Sequence, residues 1–275
     1  FIKENLIVLP DTGWTIFRIG SDWEFLFKCG VPCPKNLGAH AHSDLLSFEI
    51  YKNGEPFINE VGTSTYQKSQ KRFFERSSKA HNSIQLKKEL FFKNNNAWIE
   101  PIGTWDNFRV SKKSYPNSRF YGKYNQWFWV NGSHNGFSEI RSNHQRWIAL
   151  KGDTKDTFIC IIIDTITSKE FLEWRRWFHI SRSSLNYKWT FWPESSKCNL
   201  HEEGSYFAED FGKVHTRPLF QSSGKFKPGL NRIVTIISDY KTQVDFSNTK
   251  NRIGSLKIND SYEIEWEDDN IPFFK

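Results

Sequence analysis

Along this chain apolar residues alternate with polar ones far more often than they recur at helical spacing, so strands dominate the expected structure. "LLSFEIYKNGEPFINEVG" (45–62) alternates on both sides of Asn53-Gly54, the dipeptide that most favours a two-residue hairpin turn. "WFWVNGSHNGFSEI" (127–140) repeats the device and predicts a turn at Asn131-Gly132. "DTFICIIIDTI" (156–166) is a β-branched run that reads as a central strand, with Asp164 capping a turn at the end of its apolar part. "NRIVTIISDY" (231–240) and "SYEIEWED" (261–268) predict two more strands, and "SYFAEDFGKVHTRPLF" is a weaker candidate. "SLNYKWTFWPESSKCNL" (184–200) marks a transition, so a smaller C-terminal sheet is expected over about 195–275. No repeat of fixed period and no low-complexity linker interrupts the pattern. The expected class is all-β: a large antiparallel multi-stranded β-sandwich with few helices, spanning 1–275 as one unit.

Composition narrows the chemistry. Aromatic residues make up 17%, with 25 Phe and 12 Trp, which suits packing between sheets and stacking against sugar rings. A net charge of +7 gives long-range attraction to polyanions. Lys and Arg are scattered, however, and no nucleic-acid-binding motif spacing is present, so an acidic polysaccharide is the expected partner and nucleic acid is not. No apolar run approaches the length of a membrane span. Cys160 sits in a buried-strand context, whereas Cys29 and Cys33 could bridge or bind metal. The first residue is Phe1 and Met is absent, so a piece of a longer polypeptide is expected, with any leader out of view.

The chemistry-bearing stretch is "GAHAHSDLLSFEI" (38–50). On an extended segment His40 and His42 point the same way, and neutral imidazole is a common zinc ligand. Glu60 and His81 are polar residues just outside strands that could join His42 at one ion. On an ideal hairpin ladder Glu60 faces Ser47, which leaves His42 about 17 Å from it. A shared metal therefore requires 38–44 to fold back over the sheet, with Gly38 easing the bend and Asp44 capping it. Loop histidines bonded to carbonyls are the alternative. Tyr66, Arg72, Arg76, His81 and Asn82 cluster in "GTSTYQKSQKRFFERSSKAHN" (62–82), and Arg forks fit carboxylates. The histidines of "NHQRW" (143–147) and "WFHIS" (177–181) read as structural. A metal cupin is excluded, because the first Glu after His42 is Glu49.

Taken together, "GAHAHSDLLSFEIYKNGEPFINEVGTSTY" and "RFFERSSKAHNSI" resemble the C-terminal region of the heparinase II/III-like polysaccharide lyases, with weaker likenesses at "HQR" (144–146) and "WFHIS". The resemblance implies a supersandwich domain that normally follows an α/α-toroid, a domain not represented in these residues. It implies structural zinc held by His42, Glu60 and His81, with Glu60 standing where the family usually has Asp. It further implies β-elimination on uronic-acid polymers, with His40 and Tyr66 at the catalytic cleft, Arg72, Arg76 and Asn82 binding substrate, and a periplasmic or secreted location. Because the main catalytic groups of the family come from the toroid, the isolated chain is expected to be inactive or weak. The competing expectation is a non-catalytic module that binds acidic glycans.

Overall fold

The computed structural model describes residues 5–34, 36–88, 97–152, 157–246, 250, 253–259, 261–268 and 270–275. Among them the chain is an all-β sandwich of antiparallel sheets, with a short helix at Gln70–Arg76. Strands Leu6–Leu9, Trp14–Ile19, Trp23–Lys28, Phe48–Lys52 and Glu55–Ile58 form a meander in which each pairs with the next. A six-stranded sheet follows the spatial order Lys188–Trp192, Gly229–Ser238, Phe158–Ser168, Ser142–Gly152, Trp127–His134, Pro116–Tyr124. A third sheet sets the long hairpin Lys197–Asp210/Lys213–Phe226 beside Leu172–His179 and Ile84–Lys88. No helix among the described residues is long and apolar enough to cross a membrane.

The six-stranded sheet is covered on both faces, which explains a run such as "FICIII" with no polar alternation. Cys160 and Ile162 pack with Phe128, Val130 and Ile148 against Phe17, Phe25 and Phe48 of the meander. Ile159, Ile161 and Ile163 point the opposite way, onto Leu256, Ile258, Ile264 and Trp266 of the C-terminal sheet. Each such Ile contributes about 1.5–3 kcal/mol of transfer free energy, before the entropy of ordering it. Asp156, at the head of the expected run, lies outside the described residues.

The Asn53-Gly54 turn forms with φ of 53° and 78°, both left-handed as a tight primed turn requires. Lys52 faces Glu55 and Tyr51 faces Pro56, but a register shift then sets Ile50 opposite Ile58, so the ideal ladder does not extend to Glu60. The expected turn at Asn131-Gly132 is corrected: both residues lie inside the straight strand Trp127–His134, and the chain reverses at Asn125, φ 51°. Gly132 serves close packing instead, since a Cβ there would lie 2.7 Å from Leu46 Cδ2 and 2.9 Å from Cys29 Sγ. Asp164 caps no turn; it sits buried within Phe158–Ser168 among cationic partners. Residues 197–226 belong to the third sheet, and the small C-terminal sheet begins only at Val244. All four cysteines are free, Cys29 and Cys33 included.

Candidate metal centre and the surface beside it

The segment 38–47 leaves the sheet and doubles back, as a shared site requires. Ala39 bridges to Arg109, Val110 N donates to Gly38 O at 2.8 Å, and His40 N donates to Phe108 O at 2.9 Å. His40 and Leu46 adopt left-handed φ of 59° and 60° at the two ends of the bend, a strain of about 1–2 kcal/mol each. Bonds from Ser43 N to Arg76 O (2.9 Å), Leu46 N to Lys28 O (2.9 Å) and Ser47 N to Asp44 O (3.1 Å) hold the bend. Beyond the strand Glu55–Ile58, Asn59 N donates to His179 O and Val61 N to Ala80 O, each at 3.1 Å. The second of these bonds sets Glu60 beside His81, with Oε2 2.9 Å from Nδ1.

Ligand atoms of Asp44, Glu60 and His81 lie within 4.8 Å of one another. The ring of His42 is 5.4 Å from that of His81, centroid to centroid. Burial, and then the neighbouring His81, push His42 down to about 3, so its imidazole is neutral and able to ligate. Burial alone would raise Asp44, but Lys28 and then the two imidazoles hold it below the usual carboxylate range. Burial would lower His81, yet Glu60 and Asp44 outweigh it and raise the group. Behind them Glu49 is pushed up to about 7 by burial and then by the charge of Glu60; it accepts from Glu60 N at 3.2 Å and Tyr51 Oη at 2.7 Å.

These residues fit a cation. His81 is buried; its Nδ1 lies 2.9 Å from Glu60 Oε2, and its Nε2 makes no hydrogen bond. Asp44 Oδ1 is orphaned as well, its other oxygen being taken by Lys28. Unpartnered buried polar atoms cost about 1–3 kcal/mol each, and here they fall on two residues of the cluster whose ligand atoms lie together. Imidazole nitrogens with carboxylate oxygens are a donor set that zinc accepts. Asp44, expected from the sequence only to cap the bend, joins Glu60 and His81; its position two residues after His42 is the spacing that lets two side chains of an extended segment share one side.

His40 faces away from this cluster. It is exposed, edge-on to Tyr66 at 5.9 Å and to Phe108 at 5.2 Å. Tyr66 is 43% exposed and lies tilted by 59° against Phe211, 5.1 Å away, on the tip of the long hairpin. Ser64, Thr65, Gln67, Lys71 and Gly212 complete an open depression around this pair. Arg72, Arg76 and Asn82, expected to bind substrate, are all at most 1% exposed, and their polar groups are turned to partners within the domain. Arg72 donates to Asn107 O and Thr63 Oγ1, and its guanidinium lies 5.0 Å from the Tyr66 ring centre. Arg76 donates to the carbonyls of Ala41, Asp106 and Arg109, pinning the His40 loop from below. Asn82 donates to Phe48 O and accepts from His179 N. His144 and His179 are buried, bonded to Asp164 and to Lys79 O respectively.

The family model described as "Heparinase II/III-like, C-terminal" matches residues 2–207. No curated protein sequence matches the chain. Among solved structures, a heparinase III gene product aligns with a TM-score of 0.69 at 14% identity, over 97% of this chain and 43% of that one. The heparan sulfate lyase HepC from Pedobacter heparinus aligns with a TM-score of 0.63 at 17% identity, over 94% of this chain and 41% of that one. A further heparinase III structure gives 0.65 at 13% identity, over 97% and 43%. The chain therefore spans less than half the length of the solved structures it matches, and at these identities the likeness is one of fold.

Proposed function

The chain belongs to the heparinase II/III-like C-terminal family, and from that premise we propose that it is the β-sandwich part of a polysaccharide lyase acting on uronic-acid polymers. The observation that supports this most is the division within "GAHAHSD": His42 turns inward to His81, while His40 turns outward to an exposed Tyr66. In β-elimination a base removes the proton from the carbon beside the carboxylate, and the freed electron pair forms a carbon–carbon double bond. The bond to the glycosidic oxygen then breaks, and that oxygen takes a proton. His40 and Tyr66 are the groups of this chain suited to hold or deliver those protons. The net charge of +7 favours an acidic polymer. The groups that neutralise the uronate come, in this reading, from an α/α-toroid domain of the same polypeptide, working in the periplasm or outside the cell.

Zinc would be held by His42, Glu60 and His81, with Asp44 as an adjoining carboxylate; bound there, it would supply a fixed cross-link rather than an activated water. His40, Tyr66 and the loops behind them would thereby be kept in register. Arg72, Arg76 and Asn82 are buried and bonded within the domain, which leaves Lys71 as the cation lining the depression beside Tyr66 and favours one further reading: without its toroid the chain is a glycan-binding module. Metal analysis of the purified chain tests the centre. One zinc per chain is expected, kept in His40→Ala and lost in His42→Ala and His81→Ala; zinc that persists in both of the latter overturns the ligand set. In the full-length polypeptide His40→Ala and Tyr66→Phe are each expected to lower kcat at least 10²-fold, read as release of unsaturated product. Unchanged turnover in both would leave only the binding module.

A further inference from the structure

We propose that Arg146 is a positioning residue for the metal centre, a buried guanidinium that ties together the two loops bearing His42 and His81. This rests on the zinc reading above. Arg146 lies on Ser142–Gly152, in a different sheet from either loop. Its Nη1 donates to Leu46 O at 2.7 Å and to Asn82 O at 2.5 Å. Leu46 ends the doubled-back loop that carries His42 and Asp44, and Asn82 directly follows His81. Nε and Nη2 donate to the two oxygens of Asp164 at 2.7 and 3.1 Å, a bidentate pair that fixes the plane of the fork.

Asp164 is itself braced. Arg176 Nη1 and His144 Nε2 each reach it at 2.7 Å, and His144 Nδ1 lies 3.1 Å from His134 Nε2. All of these side chains are buried. A buried ion network is poor at adding stability, since apolar residues of equal volume often do as well. An apolar residue cannot, however, bond two carbonyls on separate loops from a single atom. The loops also bond each other, through Asn82 N to Ser47 Oγ and Ser83 Oγ to Leu45 O. Leu46 N also bonds Lys28 O, and Asn82 also bonds Phe48 O and His179 N, but Arg146 is the side chain that bonds both loops at once and links them to the six-stranded sheet. Arg176 provides an internal control: it shares Asp164, but its other bonds run to Thr235 Oγ1 and Ser222 Oγ, away from both loops.

The test compares Arg146→Lys with Arg176→Lys in the purified chain, reading zinc affinity by chelator competition and the thermal midpoint of the zinc-free protein. Lysine keeps the charge at each site and loses the fork. Both variants are expected to lose stability, but Arg146→Lys alone should bind zinc about 10–100-fold more weakly, the range for outer-shell partners of a metal. Arg176→Lys should stay within about 2-fold of the unmodified chain. Equal losses in both variants, or an unchanged affinity in Arg146→Lys, would overturn the assignment. Should Arg146→Lys not fold, Asp164→Asn frees the fork while leaving the arginine in place; affinity within 2-fold of the unmodified chain would again overturn it. An unmodified chain that binds no zinc would instead refute the metal reading on which the proposal stands.

Discussion

A single methyl group at position 132 reports how tightly the doubled-back loop 38–47 is seated. Ala there would press its Cβ against Leu46 Cδ2, Cys29 Sγ and Phe27 Cε1, at 2.7, 2.9 and 3.0 Å before relaxation. Leu46 is fully buried in the core cluster with Phe27 and Cys29, so its side chain has little room to yield. Gly132→Ala is expected to cost about 1–3 kcal/mol, measured by denaturant unfolding; a midpoint equal to that of the unmodified chain would show the contact to be soft. The same residue shows what a sequence leaves ambiguous. Asn-Gly reads as a turn because Gly tolerates positive φ, but Gly is equally the residue for close approach, and only the neighbours across the sheet decide between the two. The neighbourhood of Glu60 and His81 was legible because their order and spacing match a family motif, whereas Asp44, which lies with them, was not singled out by that motif. The burial of Arg72 and Arg76 was not legible, since their backbone-carbonyl partners come from the distant 106–109 turn and from Ala41.

At the scale of elements, the hairpin Lys197–Asp210/Lys213–Phe226 brings distant chain to the candidate site. Ala208 N donates to Val61 O at 2.7 Å and Gly212 N to Ser64 O at 2.9 Å, so its tip is stitched onto the turn that carries Glu60. Phe211, 58% exposed, stands beside Tyr66, and the family match ends at residue 207, short of this tip. If the surface takes a sugar ring and the chain is part of the lyase proposed above, Phe211→Ala in that longer polypeptide should raise KM about 2- to 10-fold, the worth of one aromatic stacking contact. Its kcat should stay within about 2-fold and its zinc content should not change; an unaltered KM would remove Phe211 from the binding surface. The hairpin read weakly in the sequence for a physical reason. From His201 to Gly204 and again from Glu209 to Thr216 the described side chains are exposed on both faces, so no buried face imposed alternation. The Phe158–Ser168 strand was legible for the converse reason, being buried on both sides.

At the scale of the molecule, the Asp164 network stands where three sheets meet. Asp164, Arg146, His144 and His134 belong to the six-stranded sheet, Arg176 to the third sheet, and the Leu46 carbonyl to the loop that enters the meander. The sequence marks single members, "HQR" (144–146) and Asp164, but not that they meet, because they alternate within ordinary strands and find each other only across layers. Its titration is nevertheless a global property. Burial first, and then the adjacent imidazole and arginine charges, lower His134 well below its ordinary value; burial also lowers His144, against the pull of Asp164. Both groups thus bind fewer protons folded than unfolded. Their contribution to stability is complete above the unfolded value of about 6.5 and is lost as pH falls from there toward the folded values. Asp164 is likewise held well below its ordinary range, despite burial, by Arg146, His144 and Arg176, and its contribution is lost only at far lower pH, below about 3.9. The unfolding free energy of the zinc-stripped chain is therefore expected to fall between pH 6.5 and 5, by up to about 1.4 kcal/mol per pH unit for each neutral buried histidine. His134→Gln should start lower and fall less steeply, by about one histidine's share. A variant curve parallel to that of the unmodified chain across this window would mean that His134 carries the same charge folded and unfolded, and that the junction is not the neutral, sealed layer its burial describes.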